Sequence, residues 1–587
     1  MTDAHTQKKA KKDSSSKKTG KVPKKSNHAG HGSSPSFPST LLWVPVAVAA
    51  AAYCYLRPHV VTGLVNEWIG FSEHYDSAPV AQAPISILSP DYAKRDAVVA
   101  AFRHSWQAYE RDAMGDDEYH PIAQRGSNLT KVGGIGYMVI DVLDTMQIMK
   151  LDNEYQRARK WVEQKLTFER DAKFSTFETT IRVLGGLLSA HHLSGGDPLY
   201  LEKAIDIAER MMPVFNTDSG LPLPSVNLAQ RKGYHTTDFP GWASIAEFAT
   251  LQLEFKYLSH LTGDDRYWDA VEQVMKTVKQ ARLPHGLASI FMNIDEGRYE
   301  TTTIRLGSRA DSFYEYLLKQ YLQTNHSEDV YREMYEDAMD SVHDTLIQHT
   351  RSNKMTYTSE ILPENGPNGE LEWRLTPKQD HLVCFLGGNL MLGATRARAA
   401  AGQKVSIPPQ PEELSEKGKR DWETGVELIR TCMHTHDTAT GLAPEIVYFR
   451  VASDGMDGYH NAPEDWYIKG AAAGEMPPYD ARYMLRPETV ESLFIAYRLT
   501  GDQRYRDHGW KIFQSIQKHC YVESGGYASV LNVDQNPARQ EDKMETFFLS
   551  ETLKYLYLLF SSSDVLPLSE HVFNTEAHPF PIINRRK

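Results

Sequence analysis

Four acid–threonine steps stand beside apolar runs: Phe177-Glu178-Thr179, Pro487-Glu488-Thr489, Met544-Glu545-Thr546 and Ser550-Glu551-Thr552. Proline is at home in the first turn of a helix, so Pro487 predicts Glu488 at a helix start, where the helix dipole favours an anion. For any single Glu that preference is explanation enough. Several such acids whose helices start at one central cavity, with Arg182, Arg309 and Arg486 nearby in sequence, would instead make a charged pocket. Paired carboxylates in a cavity with aromatics are what glycoside hydrolysis requires: one protonates the leaving oxygen, another activates water.

Helical hairpins must position these acids. Phe313, Leu317 and Tyr321 recur at helical spacing. Three segments, His192-Leu-Ser-Gly-Gly-Asp, His260-Leu-Thr-Gly-Asp-Asp and Arg498-Leu-Thr-Gly-Asp-Gln, each join two apolar helical runs. Glycine suits the left-handed position after one helix, and Asp caps the next. The pattern is a repeated hairpin, about seven units of about 70 residues, forming either an open solenoid or a closed toroid. Residues 361–370 and 405–414 read as surface loops.

The 587 residues carry 64 Lys+Arg against 76 Asp+Glu, a net charge of −12. Residues 1–40 hold nine Lys and two Asp, hence +7, leaving −19 for the rest. That balance argues against a nucleic-acid partner. Four Cys make no disulfide scaffold, and HExxH and CxxC are absent. Gly133-Gly134-Ile135-Gly136 lacks the Lys-Ser/Thr of a phosphate loop and predicts a tight turn. Residues 1–40 form a disordered basic tail. Residues 41–65, opening with the uncharged LLWVPVAVAAAAYCYL, predict an uncleaved signal anchor with the Lys-rich side cytoplasmic. A Pro-containing stem is expected over 66–95, and a lumenal domain over 96–587.

Longer motifs carry a resemblance. Glu178-Thr-Thr-Ile-Arg-Val-Leu-Gly-Gly-Leu-Leu-Ser-Ala, Arg309-Ala-Asp-Ser-Phe-Tyr-Glu-Tyr-Leu-Leu-Lys, Asp380-His-Leu-Val-Cys-Phe, Leu485-Arg-Pro-Glu-Thr-Val-Glu-Ser-Leu, Met544-Glu-Thr-Phe-Phe-Leu-Ser-Glu-Thr-Leu-Lys-Tyr and Val572-Phe-Asn-Thr-Glu-Ala-His-Pro resemble the class I α-1,2-mannosidases, glycoside hydrolase family 47. The resemblance implies an all-α (α/α)7 barrel. It implies an inverting exo-hydrolase that trims terminal α-1,2-linked mannose from high-mannose N-glycans. Glu178, Asp311 and Glu488 become the catalytic carboxylates: Glu178 as general acid, through a water, and Glu488 as base, with Asp311 the competing acid. Arg182, Glu247, Arg309, Arg486, Glu491, Glu545, Phe547 and Glu551 become substrate contacts, and Thr575 the Ca²⁺ residue. Cys384 and Cys432 match the family's disulfide; Cys520 is left as a buried thiol.

Arg309 bears on specificity. Endoplasmic reticulum members of the family resemble this chain in having Arg two residues before the catalytic Asp, whereas Golgi members tend to carry a smaller apolar residue. The implied reaction is nine-mannose to eight-mannose, in the endoplasmic reticulum or early Golgi membrane. The alternatives are trimming to five mannoses, a weakly catalytic or non-catalytic glycan-binding factor, and a helical scaffold. Two departures from the family pattern stand out: Asp116-Asp117 where His-Asp is usual, and Tyr448 where His is frequent. Asn128-Leu-Thr and Asn325-His-Ser are candidate glycosylation sites.

Overall fold

Fourteen of the helices fall into seven packed pairs. In chain order they are α1 (Tyr92–Asp112), α2 (Leu143–Ile148), α3 (Asp152–Gln164), α4 (Gly185–Leu193), α5 (Pro198–Met211), α6 (Gln252–Thr262), α7 (Asp265–Ala281), α8 (Asp311–Gln323), α9 (Asp329–Ser341), α10 (Phe385–Arg396), α11 (Glu416–His434), α12 (Glu488–Thr500), α13 (Gln503–His519) and α14 (Leu553–Phe560). The computed structural model describes residues 87–281, 286–400, 405–451, 465–470 and 476–584. The predicted tail, the anchor and most of the stem lie outside the described residues. Helix α1 begins at Tyr92, capped by Asp91.

Helices α2, α4, α6, α8, α10, α12 and α14 form an inner ring, each packed on its neighbours. Helix α8 is buried along nearly its whole length, and α14 (LKYLYLLF) is buried on all sides. The outer helices are one-sided, as an amphipathic helix on a core must be. Tyr267, Val271, Val274 and Val278 of α7, for example, face inward. The last pair closes the ring: α14 packs on α1, Asp91 N donates to Phe560 O at 2.8 Å, and Leu88 N donates to Ser563 Oγ at 2.8 Å. This is the closed (α/α)7 barrel that the resemblance implies, so the toroid holds and the solenoid does not.

The punctuation predicted from sequence is present. Gly263 and Gly501 end α6 and α12 at φ 75° and 70°, and Asp197 and Asp502 cap α5 and α13. Helices α10 and α11 touch backbone to backbone; a Cβ on Gly425 would stand 2.7 Å from Gly387 O. A disulfide, Cys384–Cys432, ties the residue before α10 to α11 (Cα–Cα 5.9 Å), and Cys520 is a buried free thiol.

The described residues also hold eight small antiparallel sheets of two or three strands, which the helical pattern did not announce. Seven of them occupy the connections from an outer helix to the next inner one, and the eighth, His571–Phe573 with Pro579–Pro581, follows α14. Strand Lys173–Ser175 runs into Glu178, Trp242–Ser244 into Glu247, and His571–Phe573 into Thr575. The predicted loop at 361–370 is largely a hairpin, Glu360–Asn365 with Leu371–Thr376, because alternating Leu371, Trp373 and Leu375 suit a strand.

Candidate active site

The starts of α4, α6, α8, α10, α12 and α14 converge on one cavity of about 320 Å³. Glu178 stands just before α4, Glu247 before α6, and Glu551 before α14; Asp311 and Glu488 are the first residues of α8 and α12. Arg182, Arg309, Arg486, Glu491, Phe547 and Thr575 line the same cavity. Glu545 does not; its carboxylate is 3.0 Å from Lys543 Nζ.

The backbone departs from regular geometry at these starts. A π-helical segment, Thr179–Leu184, follows Glu178, and a second, Phe548–Thr552, contains Glu551. Such segments recur at functional sites because the wider turn re-aims side chains. Arg309 and Leu485 adopt left-handed φ of 77° and 64° just ahead of Asp311 and Glu488. For residues with a Cβ this is strain that only firm surroundings maintain.

The carboxyls are crowded and short of positive charge. Burial pushes Asp311 up to about 7, against the pull of its hydrogen bond from Ser312 N. Burial pushes Glu488 up to about 8, with Arg486 opposing from 3.7 Å. Glu488 Oε2 has no hydrogen-bond partner, and His381 Nε2, 3.5 Å away, is held neutral by its own burial. Glu491 is lifted to about 7, chiefly by burial, although Lys319 bridges it to Glu315. Glu551 is likewise raised well above the usual carboxylate range, by burial and the neighbouring Glu576.

Arginines order the walls. Arg182 donates to Glu178 (2.7 Å), Glu576 (2.7 Å) and Thr546 Oγ1 (3.0 Å). Arg486 grips Glu445 with two hydrogen bonds, at 2.9 and 2.6 Å. The ring of Phe547 sits 5.9 Å from one guanidinium and 5.6 Å from the other. The Arg309 guanidinium lies 5.1 Å from both Phe239 and Phe291, and among the described residues it makes no ion pair, which leaves its donors for a ligand. Glu247 closes a capping box on Ser244 N at 2.8 Å while facing the cavity.

Glu315, Glu576, Glu445 and Phe239 escaped the sequence-level site list. Glu315 and Glu576 lie within the motifs, one turn or one residue from named positions, whereas Glu445 lies outside them, three residues before Tyr448. Phe239 carries no sequence signal; only folding brings it to Arg309. The departures resolve locally. Asp117 is buried, and its Oδ1 accepts from the N–H groups of Ile135, Gly136 and Tyr137, so the glycine turn is filled by a carboxylate. Tyr448 lies in strand Ile446–Phe449, outside the cavity lining. Asn128 spends its amide on Asp116 (2.7 Å), and Asn325 is exposed.

The donor set suits a hard cation. The cavity offers carboxylate, hydroxyl and carbonyl oxygens in excess of its cations, with neither His nor Cys among the lining residues. Among the described residues no group of three or more His, Cys, Asp or Glu forms a ready metal cluster.

Residues 101–582 match the family described as Glycosyl hydrolase family 47. The chain is 43% identical over 491 residues to a mannosyl-oligosaccharide 1,2-alpha-mannosidase of Candida albicans, covering 82% of each chain. It is 43% identical over 489 residues to the endoplasmic reticulum mannosyl-oligosaccharide 1,2-alpha-mannosidase of Schizosaccharomyces pombe, covering 82% of this chain and 88% of that one. The solved alpha-1,2-mannosidase from Trichoderma reesei superposes with a TM-score of 0.72 at 28% identity, over 84% of this chain and all of that one.

Proposed function

The chain belongs to glycosyl hydrolase family 47, and from that premise we propose the reaction its cavity performs. It removes terminal α-1,2-linked mannose from high-mannose N-glycans, with inversion, and stops after one mannose of the nine. The observation that carries this reading is the convergence of Glu178, Asp311 and Glu488 at inner-helix starts on one cavity.

Glu488 is the general base on the attacking water, and Glu178 the general acid. Glu178 is the more open of the two, its side chain 37% exposed against 12% for Glu488, which suits proton delivery through a water. A second reading makes Asp311 the acid. Burial lifts its carboxyl to about 7, as it lifts Glu488 to about 8, whereas Glu178 accepts a 2.7 Å hydrogen bond from Arg182. Arg182, Arg486, Glu247, Glu491, Glu551 and Phe547 hold the sugar, and Glu545 supports the rim through Lys543. Arg309, braced on two rings and making no ion pair among the described residues, selects the branch.

Thr575 holds Ca²⁺, which when bound supplies positive charge to the acidic cavity and fixes sugar hydroxyls. The enzyme resides in the endoplasmic reticulum or early Golgi membrane, anchored by residues 41–65, with the barrel lumenal. The test is incubation of the lumenal part with nine-mannose glycan, with Ca²⁺ and after chelation. One mannose released with Ca²⁺ and none after chelation is expected. No release in either condition overturns the activity, and full release after chelation overturns the role of Ca²⁺.

A further inference from the structure

Lys554 is a charge where none is expected. It sits in the apolar helix α14 with its side chain wholly buried. Burying an ammonium is costly unless its partners compensate. Its two partners are Asp144 Oδ2 at 2.9 Å and the carbonyl of Ala577 at 2.8 Å. Neither lines the cavity.

Ala577 explains the second partner. It stands at φ 58°, a left-handed conformation that is strained for a residue with a Cβ. It belongs to the turn Asn574–His578. Ala577 N donates to Asn574 O (3.1 Å), and Asn574 N to His578 O (3.0 Å). Asn574 Oδ1 collects the N–H groups of Glu576 and His578 at 2.9 and 2.8 Å, and its Nδ2 donates to Ile181 O in the π segment after Glu178. The His578 ring is held between Asp144 (2.7 Å) and Asp141 (3.2 Å). Thr575 is the residue of this turn that reaches the cavity together with Glu576.

We propose that Lys554 is a positioning residue for the cation turn: its ammonium holds the Ala577 carbonyl, fixes the left-handed bend, and so sets the Thr575 oxygens before any ion arrives. This rests on the reading of Thr575 as the Ca²⁺ residue. Without the clamp the turn relaxes toward extended backbone, and binding must reorder it at a cost in affinity. Asp144 keeps His578 and Ser189 as partners when Lys554 is removed, so Lys554→Met does not strand a carboxylate.

The clamp and the bend make a testable pair. Glycine adopts φ 58° without penalty. Lys554→Met should weaken Ca²⁺ binding, read by calorimetry on the chelated and dialysed full chain, by about tenfold. Turnover at saturating Ca²⁺ should stay within about twofold. Adding Ala577→Gly to Lys554→Met should recover most of the lost affinity, because the bend no longer needs holding. A merely structural lysine predicts a lowered melting temperature without such rescue. Should Lys554→Met fail to fold, Ala577→Val in the wild-type chain gives the same readout: the bulkier residue should bind Ca²⁺ more weakly. Wild-type affinity in Lys554→Met, or weakened affinity that Ala577→Gly leaves unrepaired, overturns the clamp. Unchanged affinity in Ala577→Val overturns it as well. A wild-type chain that binds no Ca²⁺ overturns the cation reading on which it rests.

Discussion

The two ends of the barrel are built differently. At one end, most inner helices pass to their outer partners through tight turns. Gly263 and Asp264 alone separate α6 from α7, and Gly501 and Asp502 alone separate α12 from α13. At the other end the return connections are long, as from Met212 to Leu251 or from Thr435 to Pro487. They carry seven of the eight small sheets, both left-handed residues ahead of the acids, and the π segments that follow Glu178 and contain Glu551. The first end repeats because its task, reversing a helix, is the same in every hairpin. The second varies because each connection must present a different side chain to one cavity.

Mutations should therefore separate the two ends. The largest effect is expected at the sheet end. Glu488→Gln should lower kcat by about 10³-fold, the scale of a lost general base, while glycan binding and melting temperature persist. Turnover within tenfold of wild type would remove Glu488 from that role. Next, a general acid must hold its proton and a general base must lose its own, so if Asp311 is the acid and Glu488 the base, kcat should peak between about 7 and 8 and fall on the alkaline side above about 8. Asp311→Asn should then abolish that alkaline limb together with most activity. A limb that survives in Asp311→Asn leaves Glu178 as the acid.

A smaller effect concerns Arg309. Arg309→Leu should relax the stop after one mannose, producing glycans shorter than eight mannoses with a rate of first cleavage changed by less than about tenfold, since one fork of donors is worth on the order of 1 kcal/mol. An unchanged product pattern contradicts the specificity argument. The buried core behind the sheet end titrates separately. Lys554 and His578 outweigh burial and hold Asp144 at about 2. Its folded value lies below its unfolded one, so its contribution is present above about pH 4 and is lost as pH falls toward 2. It amounts to about 2 kcal/mol, and Asp144→Asn should flatten acid unfolding by that much. The smallest effect belongs to the turn end. Gly501→Ala, at φ 70°, should cost about 1 kcal/mol of stability and leave kcat and KM untouched. A change in kcat there would deny the division of labour.

The same division decided what the sequence could announce. The turn end was legible because Gly and Asp act within a few residues, and three copies of one punctuation imply a repeat. The acids were legible because helix starts are marked locally, by Pro487 before Glu488 or by Ser175, whose Oγ accepts from Glu178 N. The sheets were not, since each strand is two to six residues long and pairs only after the helices have placed it. Phe239 was invisible for the same reason: its tie to Arg309 is across space. Glu545, in an acid–threonine step of the same type as the others, pairs with Lys543 and does not line the cavity.

The central claim is that two carboxylates at the sheet end act on the sugar and on water in a single displacement. Proton NMR of the mannose released from nine-mannose glycan, recorded before the free sugar equilibrates, tests it most directly. The account predicts that β-mannose appears first, the inverted product of an α-linkage. α-Mannose as the first-formed product would contradict it.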